Sequence, residues 1–195
     1  PETKSLADRF ANAFDLAYRR FRDLQEAEAQ AREAEIELAL ERVRSATMSM
    51  VRSSDLAELS GVCTDQLVEL GLEISSTYFA LIDSDEPEFY DLWYCSSPTH
   101  PRGRMVGESQ RYPLDGPLPR MSAWREAFRA GQTRFSGIVK PEHYEEWLSF
   151  FAELAEELGL TAAGLKERAP NGLFQTDAFI RYGGIGVTRV DRQLD

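Results

Sequence analysis

Cysteine, histidine and lysine are all scarce in this 195-residue sequence. Two cysteines, Cys63 and Cys95, are too few for a disulfide scaffold and fit a reducing, cytoplasmic compartment. Lying 32 residues apart, they read as small hydrophobic side chains on a helix and a strand. Histidine occurs only at His100 and His143, so neither a Cys/His zinc set nor a Ser/His/Asp order can be assembled. His143 and Glu146 give H-x-x-E without a second ligand at i+4, which reads as a solvated helix face. Lysine is confined to Lys4, Lys140 and Lys166, the other 19 basic residues being arginine. Acidic residues outnumber basic ones 33 to 22, for a formal charge of -11, which disfavours nucleic acid and anionic membrane surfaces as partners. No run of 18 apolar residues exists, so no stretch reads as a bilayer span. Gly183, Gly184 and Gly186 lack the Lys-Ser/Thr that completes a phosphate loop.

Proline and glycine are missing altogether from Ser5 to Arg52, where Ala, Glu, Arg and Leu dominate. These are strong helix formers, and a helix of about 47 residues would run roughly 70 Å. Ser5 is a candidate N-cap, and Ser53, Ser54 and Asp55 mark a stop and a fresh start. Apolar residues recur at heptad spacing, with Phe10, Ala17, Leu24, Ala31 and Leu38 at one seam position. Leu6, Ala13, Ala27, Ala34 and Met48 take the companion position. Beyond Ala34 a stripe of Ile36, Leu40, Val43, Thr47 and Met50 fits better, which implies a register shift near 34–38. The many alanines make the seam shallow. No partner helix of similar length follows, which favours a parallel homodimeric coiled coil over a helix packed on its own domain.

Residues 1–52 hold nine basic and ten acidic residues; residues 53–195 hold 13 and 23. The sequence therefore divides into a nearly neutral helix, 1–52, and an acidic domain, 53–195. It begins at Pro1 with no signal-peptide pattern, as expected of a segment from a longer protein. Within the domain, 55–72 reads as an amphipathic helix ended by Gly71, and 75–83 as a central strand with both faces apolar. An acidic turn reverses the chain into a strand at 88–97, and a proline-rich stretch, 98–121, holds one short strand at Gln110–Leu114. Helical periodicity returns at 122–131 and 141–160, closed by Gly131 and Gly159. Residues 173–182 alternate as a strand, and Gly183-Gly184 signals a tight hairpin into 184–190. The sum is an α+β fold: an antiparallel sheet flanked by helices and preceded by a long coiled-coil helix.

The acidic turn offers Asp83, Asp85, Glu86, Glu88 and Asp91, but it lacks the glycine and terminal glutamate of a calcium loop, so a solvated turn is favoured and no metal site is assigned. The aromatic residues are more suggestive. Trp93 and Tyr94 sit on a strand, while Tyr112, Trp124, Phe128, Tyr144, Trp147, Phe150 and Phe151 fall in the insertion between strand pairs. An insertion laid on one sheet face makes either an ordinary core or an aromatic-lined pocket. A polar residue projecting among them, Arg181 or Asp177, would favour the pocket, because a buried charge needs a partner. The ligand-binding candidates are Trp93, Tyr112, Trp124, Phe128, Tyr144, Trp147 and Arg181; the dimer candidates are Leu6, Phe10, Ala13, Ala17, Leu24, Ala31 and Leu38.

The stretch AEIELALERVRSATMSMVRSSDLAEL (34–59) resembles the helical lead-in of GAF-like sensory domains of bacterial signalling proteins, notably sensor histidine kinases. The later order is similar too: STYFALID, FYDLWYCSS, the helical insertion at SAWREAFRAGQTRFSG and HYEEWLSFFAEL, and the hairpin FQTDAFIRYGGIGVTR. The resemblance implies a six-stranded antiparallel sheet, a ligand cavity under the insertion, and dimerisation through helices continuous with neighbouring signalling domains. It also implies a closing helix beyond the last strand. The sequence departs from the ligand signatures of the family. Neither cysteine adjoins a histidine, as bilin attachment requires, and no lysine follows an asparagine, as in the cyclic-nucleotide class. The two cysteines are fewer than free methionine sulfoxide reductases of this fold use. No cofactor is assigned. The expected function is a cytoplasmic sensory and dimerisation module of a two-component system, not an enzyme, relaying an unidentified small molecule or partner through the coiled coil. The alternatives are a structural dimerisation scaffold without ligand, or a small enzyme.

Overall fold

A computed structural model of the chain describes residues 2–52, 54–82, 88–100, 103–107 and 109–190. Asp83, Asp85 and Glu86 of the acidic turn lie outside the described residues. The chain falls into two compact units, Pro1–Arg42 and Val43–Asp195.

The first unit is helical throughout its described residues and belongs to α1 (Glu2–Ser49), the helix expected from the missing proline and glycine. Its apolar side chains are exposed in the single chain: Leu6, Phe10, Ala13, Ala17, Leu24, Ala31 and Leu38 all face solvent. Phe14 and Phe21 are exposed as well. They lie at i+4 from Phe10 and Ala17, so they widen the same stripe.

In the second unit, α1 ends at Ser49 and α2 (Asp55–Glu69) begins after a short link. The Asp55 carboxylate secures that link by accepting the backbone N–H groups of Val51 (2.7 Å) and Arg52 (2.9 Å). These bonds hold its pKa below the usual carboxylate value. Six strands follow: β1 (Ser76–Ile82), β2 (Phe89–Ser96), β3 (Gln110–Pro113), β4 (Arg134–Val139), β5 (Leu173–Ile180) and β6 (Gly183–Val190). They form one antiparallel sheet in the order β3-β2-β1-β6-β5-β4. The mixed α+β architecture is thus as the sequence indicates, and β1 is the central strand its two apolar faces require.

Alternation divides the sheet into two faces. One carries Thr77, Phe79, Trp93 and Cys95 and is covered by α2; a buried hydrogen bond of 2.5 Å joins the hydroxyls of Thr64 and Thr77 across this layer. The other carries Tyr78, Ala80, Leu92 and Tyr94 and is covered by the insertion. That insertion comprises α3 (Pro119–Arg129), α4 (Tyr144–Phe150), α5 (Ala152–Glu157) and α6 (Ala162–Arg168).

The insertion differs from its expected form in three places. The strand β4 stands where the sequence shows only a connection between helices. The helix read over 141–160 is a 3₁₀ turn at Pro141–His143 followed by α4 and α5, broken at Phe151 (φ -102°, ψ 42°). Thr161 caps the unexpected α6 by accepting the Gly164 N–H (3.1 Å). The hairpin glycines are also displaced. Arg181 and Tyr182 make the two-residue turn, while Gly183 opens β6 at φ +146°, where a Cβ would strike the Ala80 carbonyl.

Candidate ligand-binding site

The site is founded on a row across three strands. Tyr78 of β1, Gly186 of β6 and Asp177 of β5 are successive cross-strand partners. Two strand spacings separate Tyr78 from Asp177, roughly 9.6 Å. The Tyr78 ring bridges that gap by lying over Gly186, in space that any side chain there would occupy. Its hydroxyl donates to Asp177 Oδ1 at 2.7 Å.

Arg120 completes the cluster from above. It enters from the first turn of α3, and its Nη2 donates to Asp177 Oδ2 (2.8 Å) and to the Tyr78 hydroxyl (3.1 Å). Trp124, one turn along α3, also favours the charged form of Asp177. The carboxylate is wholly buried and Arg120 nearly so, at 0% and 13% exposure, so this is an interior ion pair rather than a surface one. The Arg120 guanidinium lies 5.5 Å from the centre of the Phe135 ring, and its Nε is buried without a hydrogen-bond partner.

Burial sets the electrostatics. It raises the Asp177 pKa, against the opposing pull of Arg120, Tyr78 and Trp124. Tyr78 is held well above the ordinary tyrosine value, first by burial and then by the Asp177 charge. For Arg120, burial acts to lower the pKa, but Tyr78 and Asp177 outweigh it and raise the value. Burial also pushes Tyr94 up to about 12 and Tyr90 higher still. At neutral pH the tyrosines are therefore un-ionised.

Beside this cluster, between the sheet and the insertion, lies a cavity of about 130 Å³. Its walls are mainly apolar and aromatic, with Ala80, Tyr90, Leu92 and Tyr94 from the sheet and Met121, Trp124, Trp147, Phe151, Leu154 and Leu160 from the insertion. Polar groups are few: Tyr78 and Arg120 in one part; Ser75, Ser76, His100, Arg168, Gln175 and Thr188 in another. Gln175 and Thr188 satisfy each other at 3.3 Å. Among the described residues that line the cavity there are two arginines and no aspartate or glutamate. Arg120 also borders a second recess, of about 180 Å³, with Ile138, Lys140 and His143.

Of the residues singled out in the sequence, Trp124 and Trp147 line the cavity. Tyr112 and Phe128 support it from behind. Tyr112 packs against Phe150 and Phe151 at 5.6 and 4.8 Å and donates its hydroxyl proton to Gln110. Phe128 stacks on Trp124 at 5.7 Å. Tyr144 belongs to a neighbouring core with Leu118, Val139 and Leu165, where its hydroxyl donates to the Ala169 carbonyl (2.7 Å). Trp93 is on the opposite sheet face, paired with Phe79. Arg181 is exposed in the hairpin turn against Tyr182. Asp177 is the polar residue that projects among the aromatics. Its partner Arg120 lies in the proline-rich stretch, where the sequence offers only Pro119, at the first helical turn, as a sign of the helix that carries it.

His143 and Glu146 approach to 3.8 Å on the helix surface, and Asp91 lies 3.9 Å from Arg111. Among the described residues no group of three or more His, Cys, Asp or Glu side chains is placed to hold a metal ion. No helix among them is long and apolar enough to cross a membrane. Comparison with protein-family models, with curated proteins and with solved structures gives no match to this chain.

Proposed function

We propose that this chain is a GAF-like sensory and dimerisation module of a multidomain bacterial signalling protein, a sensor histidine kinase being the best candidate. It works in the cytoplasm as a homodimer and is not itself an enzyme. The observation that carries this reading is the cavity between the antiparallel sheet and its helical insertion, lined by aromatic rings with a buried Tyr78–Asp177–Arg120 cluster at its side. Such a site suits recognition: apolar walls supply affinity and a few fixed polar groups supply orientation. The exposed stripe of Leu6, Phe10, Ala17, Leu24 and Leu38 supports pairing of two copies through α1. The shallow, alanine-rich seam with its register shift allows two packings of similar energy, which a bound ligand can bias.

Sedimentation of the chain at micromolar concentration is the first test. A dimer is expected, with Phe10→Glu/Leu24→Glu monomeric and its acidic domain melting as before; a monomeric parent chain would refute the pairing. Leucine at Ala17, Ala31 and Ala34 should alter the output of the full-length signalling protein. Unchanged output would refute the relay.

A further inference from the structure

Strand alternation sets a second row of side chains on the cavity face, two residues along from Tyr78 and Asp177. Cross-strand pairing lines up Ser96, Ser76, Thr188 and Gln175 over β2, β1, β6 and β5, and the row ends at Gly137 of β4. All four polar residues are buried. Ser96 is engaged by the chain that follows β2, accepting the Met105 N–H (2.7 Å) and donating to the Gly103 carbonyl (3.0 Å). Gln175 keeps most of its capacity. A glutamine amide offers two N–H donors and a carbonyl oxygen with two lone pairs. Its hydrogen bond from Nε2 to Thr188 Oγ1, at 3.3 Å, uses one donor, and the facing residue on β4 is Gly137, which has no side chain to offer. One N–H and the carbonyl oxygen remain, on a side chain that is only 7% exposed and lines the cavity. Buried polar groups are nearly always paired, so this remainder marks a place for an acceptor and a donor supplied from outside.

The electrical balance of the walls selects the charge of the ligand. Arg120 is already neutralised by Asp177 at 2.8 Å. Arg168, the other arginine of the lining, is exposed and gives its Nε to the Gly164 carbonyl (3.3 Å). The lining tyrosines keep their protons at neutral pH. An ion entering here would shed its water without a buried counter-charge to replace it, a penalty that a neutral group escapes. An apolar wall adjoins the polar row. Trp147 and Leu160 pack against both cores on this side of the sheet, and one of those cores includes Leu173, two residues from Gln175 on the same strand face.

We infer that the cavity binds an uncharged aromatic carboxamide or lactam, its amide against Gln175 and Thr188 and its ring against Trp147 and Leu160. The ligand carbonyl accepts from the spare Gln175 N–H or the Thr188 hydroxyl, and the ligand N–H donates to Gln175 Oε1. This rests on the sensory reading given above and specifies its ligand class.

Calorimetric titration of the 195-residue chain at neutral pH with benzamide, methyl benzoate and sodium benzoate tests the assignment. The three share one ring; the ester lacks the N–H, and benzoate adds a charge. Benzamide should bind roughly fivefold more tightly than methyl benzoate, as one hydrogen bond contributes, and about tenfold or more above benzoate. Gln175→Met keeps the length of the side chain and removes both polar atoms. With its fold checked by circular dichroism, it should bind benzamide and methyl benzoate alike. Equal affinity of the parent chain for those two would overturn the amide assignment, and tighter binding of benzoate would overturn the neutral one; either result leaves a ligand cavity standing. A benzamide preference that survives in Gln175→Met would rule out Gln175 as the anchor. Silence from all three probes at millimolar concentration would overturn the inference, while the sedimentation and output measurements decide the sensory reading separately.

Discussion

Gly186→Ala is the sharpest single perturbation of this architecture. Alanine in place of glycine inside a strand is ordinarily favourable, by about 0.5–1 kcal/mol, because it restricts the unfolded chain. Here the added Cβ would fall within the Tyr78 ring, which is itself buried beneath the insertion. Forcing a methyl into such packing costs about 1–3 kcal/mol. If the ring swings aside, Asp177 loses the 2.7 Å hydrogen bond from the Tyr78 hydroxyl. A bond to a charged group contributes roughly 1.5–3 kcal/mol. The expected net loss is therefore about 2–5 kcal/mol, a large share of the 5–15 kcal/mol typical of a domain. Urea unfolding followed by tryptophan fluorescence measures it as a lowered midpoint at unchanged slope. The companion measurement is Gly186→Ala in a Tyr78→Val background, where the ring is gone. There the alanine should be neutral within about 0.5 kcal/mol, giving a coupling of about 2 kcal/mol or more. A loss below about 1 kcal/mol in the parent chain, or an equal loss in both backgrounds, would refute the bridging account.

Asp177→Ala should cost about 3–5 kcal/mol by leaving Arg120 buried and unpaired, and Asp177→Ala/Arg120→Met should recover much of that loss, as the same unfolding assay would show. Raised tyrosine pKa values make stability fall in alkali. Below pH 10 both states keep the phenol proton; above it the unfolded chain ionises first, and stability declines until the folded-state values are reached. At pH 11 the loss should be on the order of 1 kcal/mol for each of Tyr90 and Tyr94, with Tyr78 acting in the same direction, read from urea midpoints alongside delayed phenolate absorbance. Burial, with a smaller contribution from Cys95, pushes the Cys63 thiol up to about 11. At pH 8 only about one molecule in a thousand then carries that thiolate, so its reaction with Ellman's reagent should be about a hundredfold slower than in urea.

The sequence shows plainly those elements whose local and global demands agree. The proline-free, glycine-free run produces α1, and the doubly apolar run around Phe79 produces the central strand β1. Where local pattern and tertiary role diverge, it is silent. The strand β4 is RFSGIV, an edge strand whose Ser136 and Gly137 give no alternation to read, and pairing with β5 alone makes it a strand. The helix over 141–160 keeps its period across Phe151, yet breaks there as the Phe151 ring packs against Trp147, Phe150 and Tyr112. In β5 the hydropathy is misleading. Phe174, Ala178 and Ile180 form the more apolar set, but Leu173, Gln175 and Asp177 are the buried residues. Polar groups take the inward positions because Thr188 and Arg120 meet them there. Arg120 lies 57 residues from Asp177, and Gln175 meets Thr188 only once β5 and β6 pair, so no local window reveals either contact.

Neighbouring residues of β1 are fastened on opposite sides of the sheet. Thr77 is tied to Thr64 of α2, and Tyr78 to Asp177 beside the cavity. Slipping a strand by one residue exchanges its two faces. Here that would tear both fastenings at once and turn a phenol ring toward α2. The strand is riveted through the sheet like a pin through a hinge plate, unable to slide and free only to tilt or shift as a rigid piece. The cavity-side ring and the α2 contact thus share one strand, and a displacement of Tyr78 would act on the same backbone that Thr77 ties to α2.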